Sequence, residues 1–112
     1  METRTLSLGA RLWLAEPPAD PKGVVVICPG GGYQWLSPRE AEPVARAFTQ
    51  GGWAAAVVYY TVRETPEQPP LGTLPVRQLG EAVETVKAQF PVLPCVVCGF
   101  SAGGHLAASL SV

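Results

Sequence analysis

The stretch Cys95-Val96-Val97-Cys98-Gly99-Phe100-Ser101-Ala102-Gly103-Gly104-His105-Leu106-Ala107-Ala108-Ser109-Leu110 reads as a strand, a tight turn and a helix. A Val-rich apolar run leads in, and small apolar residues lead out. Between them stands the pattern G-x-S-x-G. A serine on so sharp a turn takes strained backbone angles, and a side chain at the flanking glycines would collide with the neighbouring strand and helix. This is the context in which a serine is presented as a nucleophile, so Ser101 is the first candidate catalytic residue. Proteins with such an elbow supply an acid and then a histidine later in the chain. Here 11 residues follow Ser101, and none is Asp or Glu. The one histidine, His105, reads as a packing and hydrogen-bonding group beneath the turn rather than as the base.

Working outward, residues 24–28 and 54–60 are also continuous apolar runs, as strands buried on both faces of a parallel sheet are. Ser37-Pro38-Arg39-Glu40 has the form of a capping box, after which Ala41, Val44, Ala45 and Phe48 share a helical face that ends at Gly51-Gly52. Pro43 means that either the first turn is separate or the regular helix begins at Pro43 itself. Val76, Leu79, Val83, Val86 and Phe90 predict a second helix behind Pro75, reached through an irregular loop marked by Pro66, Pro69, Pro70 and Gly72. Near the N-terminus Leu6, Leu8, Ala10, Leu12 and Leu14 alternate with Ser7, Gly9, Arg11 and Trp13, the period of a half-buried strand or hairpin. The succession predicts an α/β fold, a mostly parallel sheet flanked by helices with right-handed crossovers, and one domain over residues 1–112. Ligands in such sheets lie beyond the carboxyl ends of the strands, where both notable loops fall.

A chain of 112 residues with 47% hydrophobic and 15% charged residues has the composition to bury a core. Its net charge of −1 and lack of a Lys/Arg cluster leave no footprint for nucleic acid or an anionic membrane. The N-terminus has no basic segment followed by an apolar one, and the run 54–60 is too short to span a bilayer, so a cytoplasmic chain is expected. Cys95 and Cys98 spell C-x-x-C, but three residues of strand span roughly 10 Å, too far for a disulfide, so both read as core cysteines, as does Cys28.

After the run 24–28 comes Pro29-Gly30-Gly31-Gly32-Tyr33, whose glycines leave backbone N–H groups uncovered for close approach by an anion. No Gly-Lys-Ser/Thr follows, so the loop does not read as a phosphate cradle. Together, this loop, the segment 42–52 leading into 54–60, and Gly99-Phe100-Ser101-Ala102-Gly103-Gly104-His105-Leu106-Ala107 resemble the α/β-hydrolase superfamily. Within it they are most similar to the bacterial acetyl-esterase group related to hormone-sensitive-lipase-like carboxylesterases and feruloyl-esterase-like domains. The resemblance runs from about Gly23 to the last residue.

It implies Ser101 as nucleophile, the N–H groups of Gly31, Gly32 and Ala102 as oxyanion hole, a small-molecule ester as substrate, and no metal or organic cofactor. Relatives often carry His at the position of Pro29, and an Arg where Thr61 stands if Tyr60 aligns with their Tyr, which removes one ion pair. The family's later strands, its Asp and its catalytic His have no counterpart, so the chain reads as the N-terminal portion of one such domain. The expected function is a serine carboxylester hydrolase of short acyl esters in its complete form. A serine peptidase of the same superfamily, a truncated non-catalytic paralogue and an incomplete reading frame stand as alternatives. With the strand at 95–98 as a sheet edge, self-association through that edge is expected.

Overall fold

The computed structural model describes residues 2–30, 36–63, 65, 67–68, 70–100 and 103. In chain order its strands are Glu2–Thr5 (β1), Arg11–Leu14 (β2), Val24–Cys28 (β3), Ala54–Tyr59 (β4) and Cys95–Gly99 (β5). A 3-10 turn at Pro38–Glu40 precedes helix α1, Glu42–Gln50, and helix α2, Leu74–Gln89, precedes β5. The strands form one sheet in the order β1-β2-β4-β3-β5. β3 pairs in parallel with β4 on one side and β5 on the other, while β2 is antiparallel to both β1 and β4. The fold is α/β, as the sequence predicts.

Both faces of the sheet are covered. Leu12, Leu14, Val24, Val26, Ala56 and Val58 pack with Leu79, Ala82 and Val86 of α2. Trp13, Val25, Ile27, Ala55 and Val57 pack with Ala41 beside α1 and Ala45 within it. The crossover from β3 to β4 and that from β4 to β5 run in opposite directions along the sheet, so two right-handed crossovers place their helices on opposite faces. This is why residues 24–28 and 54–58 carry apolar side chains at every position. Among the described residues no helix is long and apolar enough to cross a membrane.

Of the two readings of Leu6 to Leu14, strand or hairpin, the hairpin holds: Leu6 N–H donates to the Ala10 carbonyl at 2.8 Å and Gly9 takes φ 98°. Only residues 11–14 of that stretch are strand, and the partner strand β1 is the polar segment Glu-Thr-Arg-Thr, which has no apolar period to reveal it. Trp13 is buried instead of lying on a solvated face, because α1 covers that side. Finally, Ser37 makes no side-chain cap; the first turn is separate, and α1 begins at Glu42 with Pro43 in its opening turn.

Candidate active site

Parallel pairing of β3 with β5 sets Cys28 opposite Gly99, so the glycine loop and the G-x-S-x-G turn leave adjacent strands at the same edge of the sheet. The ladder continues one step further, with Phe100 N–H donating to the Cys28 carbonyl at 3.2 Å. β5 ends at Gly99, as the strand-turn-helix reading requires. Gly103 is buried and helical, and its N–H donates to the Phe100 carbonyl at 2.8 Å. A Cβ on Gly103 would run into the Cys28 carbonyl and stand 2.8 Å from the Pro29 oxygen. The glycine is needed because backbone meets backbone there, the collision foreseen for the glycines around the serine. Ser101 and Ala102, together with Gly31, Gly32 and His105, lie outside the described residues.

Four contacts fix the point where the glycine loop departs. Phe100 N–H holds Cys28, the buried Tyr60 hydroxyl donates to the Pro29 carbonyl, and Ser37 N–H donates to the Gly30 carbonyl at 2.8 Å. The fourth is Gly30 N–H donating to Glu40 Oε1 at 2.9 Å. Sequence spacing assigns Glu40 to a capping box with Ser37, but its carboxylate reaches back 10 residues to Gly30 instead. Neither Glu40 nor Tyr60 carries a local signal of this role, since each partner is brought near by the parallel sheet.

At the same end of β4, Arg11, Leu36, Glu42, Tyr59 and Thr61 line an open groove of about 700 Å³. The Arg11 guanidinium stacks over the Tyr59 ring at 5.3 Å, and Glu42 accepts from the Tyr59 hydroxyl at 3.5 Å and faces Arg46 at 3.7 Å. Burial raises the Tyr59 pKa, and the Glu42 carboxylate raises it further, against a smaller lowering by Arg11. Thr61 is held by a neutral network. Fully buried Gln78 donates to Thr61 Oγ1 at 2.7 Å and to the Leu8 carbonyl at 3.1 Å, and accepts from Thr61 N–H at 2.8 Å. Glu67 and Asp20 are exposed.

The cysteines are thiols within the sheet. Burial, reinforced by neighbouring Cys98, pushes the Cys28 pKa from 9.0 to about 12, and burial also raises Cys95 and Cys98. Cys95 packs with the α2-side core and Cys98 with the α1-side core, so the C-x-x-C pair is split by the sheet itself. Among the described residues no group of His, Cys, Asp and Glu is placed to hold a metal ion.

No family model matches the chain. Over 93 residues, 79% of its length, it is 33% identical to endo-1,4-beta-xylanase B of Butyrivibrio fibrisolvens, of which it spans 14%. It is similar to the structure of MGS-M1, an α/β hydrolase enzyme from a Medee basin deep-sea metagenome library, with 29% identity, a TM-score of 0.75, and coverage of 100% of this chain and 51% of that one. Carboxylesterase Cest-2923 of Lactobacillus plantarum gives 26% identity and a TM-score of 0.76 over 97% of this chain and 44% of its own. An acetyl ester-xyloside bifunctional hydrolase of Caldicellulosiruptor lactoaceticus gives 27% and 0.72 over 89% and 37%. The chain therefore spans about half the length, or less, of these solved structures, and esterases and other hydrolases share its arrangement of strands and helices.

Proposed function

We propose that the chain, similar in fold to α/β hydrolases and esterases, supplies the nucleophile and oxyanion hole of a serine carboxylester hydrolase of the α/β-hydrolase superfamily acting on short acyl, acetyl-type esters. In this reading residues 1–112 are the N-terminal portion of a single such domain, and the acid and base come from the part of the fold that the longer relatives have. Ser101 Oγ adds to the ester carbonyl carbon and loses its proton to the base. The resulting oxyanion is held by the N–H groups of Gly31, Gly32 and Ala102. The alcohol leaves with a proton, and water then adds to the acyl-serine, releasing the carboxylic acid and restoring the hydroxyl.

What supports the reading above all is the pairing of Cys28 with Gly99, which starts the glycine loop and the serine turn from neighbouring strands. The acetyl preference draws on the named activity of the Caldicellulosiruptor relative. The full-length protein carrying this chain should hydrolyse 4-nitrophenyl acetate, and Ser101→Ala should lower kcat by roughly a thousandfold or more. Unchanged turnover in that variant defeats the covalent mechanism. Residues 1–112 alone should show no Ser101-dependent turnover. They should also self-associate in a sizing column through β5, whose Val96 is 47% exposed at the edge of the described sheet. A monodisperse monomer removes that partner proposal.

A further inference from the structure

We propose that Glu40 is a positioning residue for the glycine loop, fixing the Pro29–Gly30 peptide so that the N–H groups following it face the oxyanion. The inference rests on the ester-hydrolase reading. A run of three glycines needs such a device, because without Cβ atoms each residue exchanges readily between positive and negative φ, and the intervening peptide planes turn over with it. A donor array for an anion works only if its orientation is set before the reaction begins.

The contacts around Gly30 supply that setting. A peptide unit is planar and trans, so its C=O and N–H point in opposite directions. In the unit joining Pro29 to Gly30, the carbonyl accepts from the Tyr60 hydroxyl and the N–H donates to Glu40 Oε1 at 2.9 Å. Held at both ends by side chains 20 residues apart in the chain, Glu40 and Tyr60, the plane is not free to turn over. The next unit begins with the Gly30 carbonyl, held by Ser37 N–H at 2.8 Å. In a planar trans unit, fixing that carbonyl orients the N–H that follows it in the chain, which is a proposed oxyanion donor.

Glu40 is suited to the task because a carboxylate accepting from a backbone N–H forms a charge-assisted bond, roughly twice as strong as a neutral one. The residue stands in a 3-10 turn with Pro38 at its first position, and Ser37 makes no side-chain cap there. Its carboxylate is therefore committed to Gly30, and Gly30 is buried. Glu40 touches neither nucleophile nor substrate in this scheme and acts only through the loop.

The test compares Glu40→Ala and Glu40→Gln with the parent in the full-length protein, by 4-nitrophenyl acetate kinetics and by amide hydrogen exchange at Gly30. Misaligned donors lower kcat, so Glu40→Ala should lose about tenfold to a hundredfold in kcat with KM within about twofold. Glu40→Gln keeps an acceptor oxygen and should recover most of the loss. Exchange at Gly30 should accelerate by about tenfold in Glu40→Ala while β4 and α2 keep their protection. Unchanged kcat, unchanged Gly30 exchange, or a loss of protection spread evenly over the sheet would each overturn the proposal. If the parent itself turns over no ester, the hydrolase reading fails separately, and a localised acceleration at Gly30 in Glu40→Ala still supports Glu40 as the residue that positions the loop.

Discussion

The carboxyl ends of β3 and β5 and the β1–β2 turn are both tied to the rest of the molecule, by opposite means. At the first junction backbone lies on backbone: Phe100 N–H bonds the Cys28 carbonyl, and Gly103 approaches the Cys28 and Pro29 oxygens so closely that no Cβ fits. At the second, α2 reaches up with long polar side chains. Gln78 bonds the Leu8 carbonyl, and Glu81 accepts from Leu8 N–H at 3.0 Å and Ser7 N–H at 3.2 Å, with the Ser7 hydroxyl as a further donor. The first junction has a single admissible geometry, because backbones in contact have no rotamers with which to adjust. The second leaves side chains that adjust, and water replaces them where they reach the surface. Under the proposed hydrolase function, rigidity at the first junction would serve to hold the nucleophile beside the oxyanion loop, and little of it is needed at the second.

The difference is sharpest at Cys28. With its pKa pushed from 9.0 to about 12, this thiol holds a thiolate fraction roughly a thousandfold lower than a free thiol near neutral pH. Alkylation of the native chain, mapped by mass spectrometry, should therefore leave Cys28 unmodified while the half-buried Cys95 and Cys98 react first. Early modification of Cys28 would mean that the junction opens. The sign for stability follows. Above about pH 9 the unfolded chain releases this proton and the folded one keeps it, so this group's contribution is complete below pH 9 and is lost as pH rises towards 12.

Next in size is Gly103→Ala, which forces a methyl group against the Cys28 carbonyl and the Pro29 oxygen. Overpacking against unyielding backbone should destabilise by about 3 kcal/mol or more, read as a lower denaturation midpoint. A loss under about 1 kcal/mol would show that the junction yields and would erase the contrast. Gln78→Leu keeps the volume but removes the bonds to Leu8 and Thr61. Gln78 is buried but its partners Leu8 and Thr61 are not, so solvent can satisfy the groups left behind and the expected cost is smaller, about 2 kcal/mol.

The smallest effect belongs to Glu81. The Ser7 hydroxyl, followed by the Leu8 and Ser7 N–H groups, lowers its pKa, so its contribution is present above the ordinary carboxylate range and is lost as pH falls through the lowered value. Glu81→Gln should flatten the acid limb of the stability profile by lowering the neutral-pH plateau slightly, and leave stability below the lowered value unchanged. An acid limb identical to the parent's would show that the turn takes nothing from this carboxylate.

Sequence and structure agree where local physics is decisive. The Val-rich run at 24–28 and the apolar stripe around Leu79 and Val86 are legible because a strand buried on both faces and a helix buried on one must carry those patterns. β1 escapes because Glu-Thr-Arg-Thr is a strand by virtue of its partner, pairing Thr3 with Trp13, and carries no apolar period. The capping-box reading of Ser37 to Glu40 fails for a similar reason: a carboxylate bonds whichever N–H the fold leaves nearest, and here that is Gly30.

By itself, then, the sequence determined the α/β class, the two loops at the carboxyl ends of their strands, and the candidacy of Ser101, Gly31, Gly32 and Ala102, since strand, helix and sharp turn are written in short-range patterns. Tertiary structure alone decided that β3 and β5 are neighbours, that Gly103 rests on the backbone at Cys28 and Pro29, and that Glu40, Tyr60 and Gln78 hold loops rather than solvent. Those contacts join residues 10 to 75 positions apart (Gly30 with Glu40, Cys28 with Gly103). No local preference encodes them, because they exist only once the crossovers have set strand order and brought the two loops to one edge.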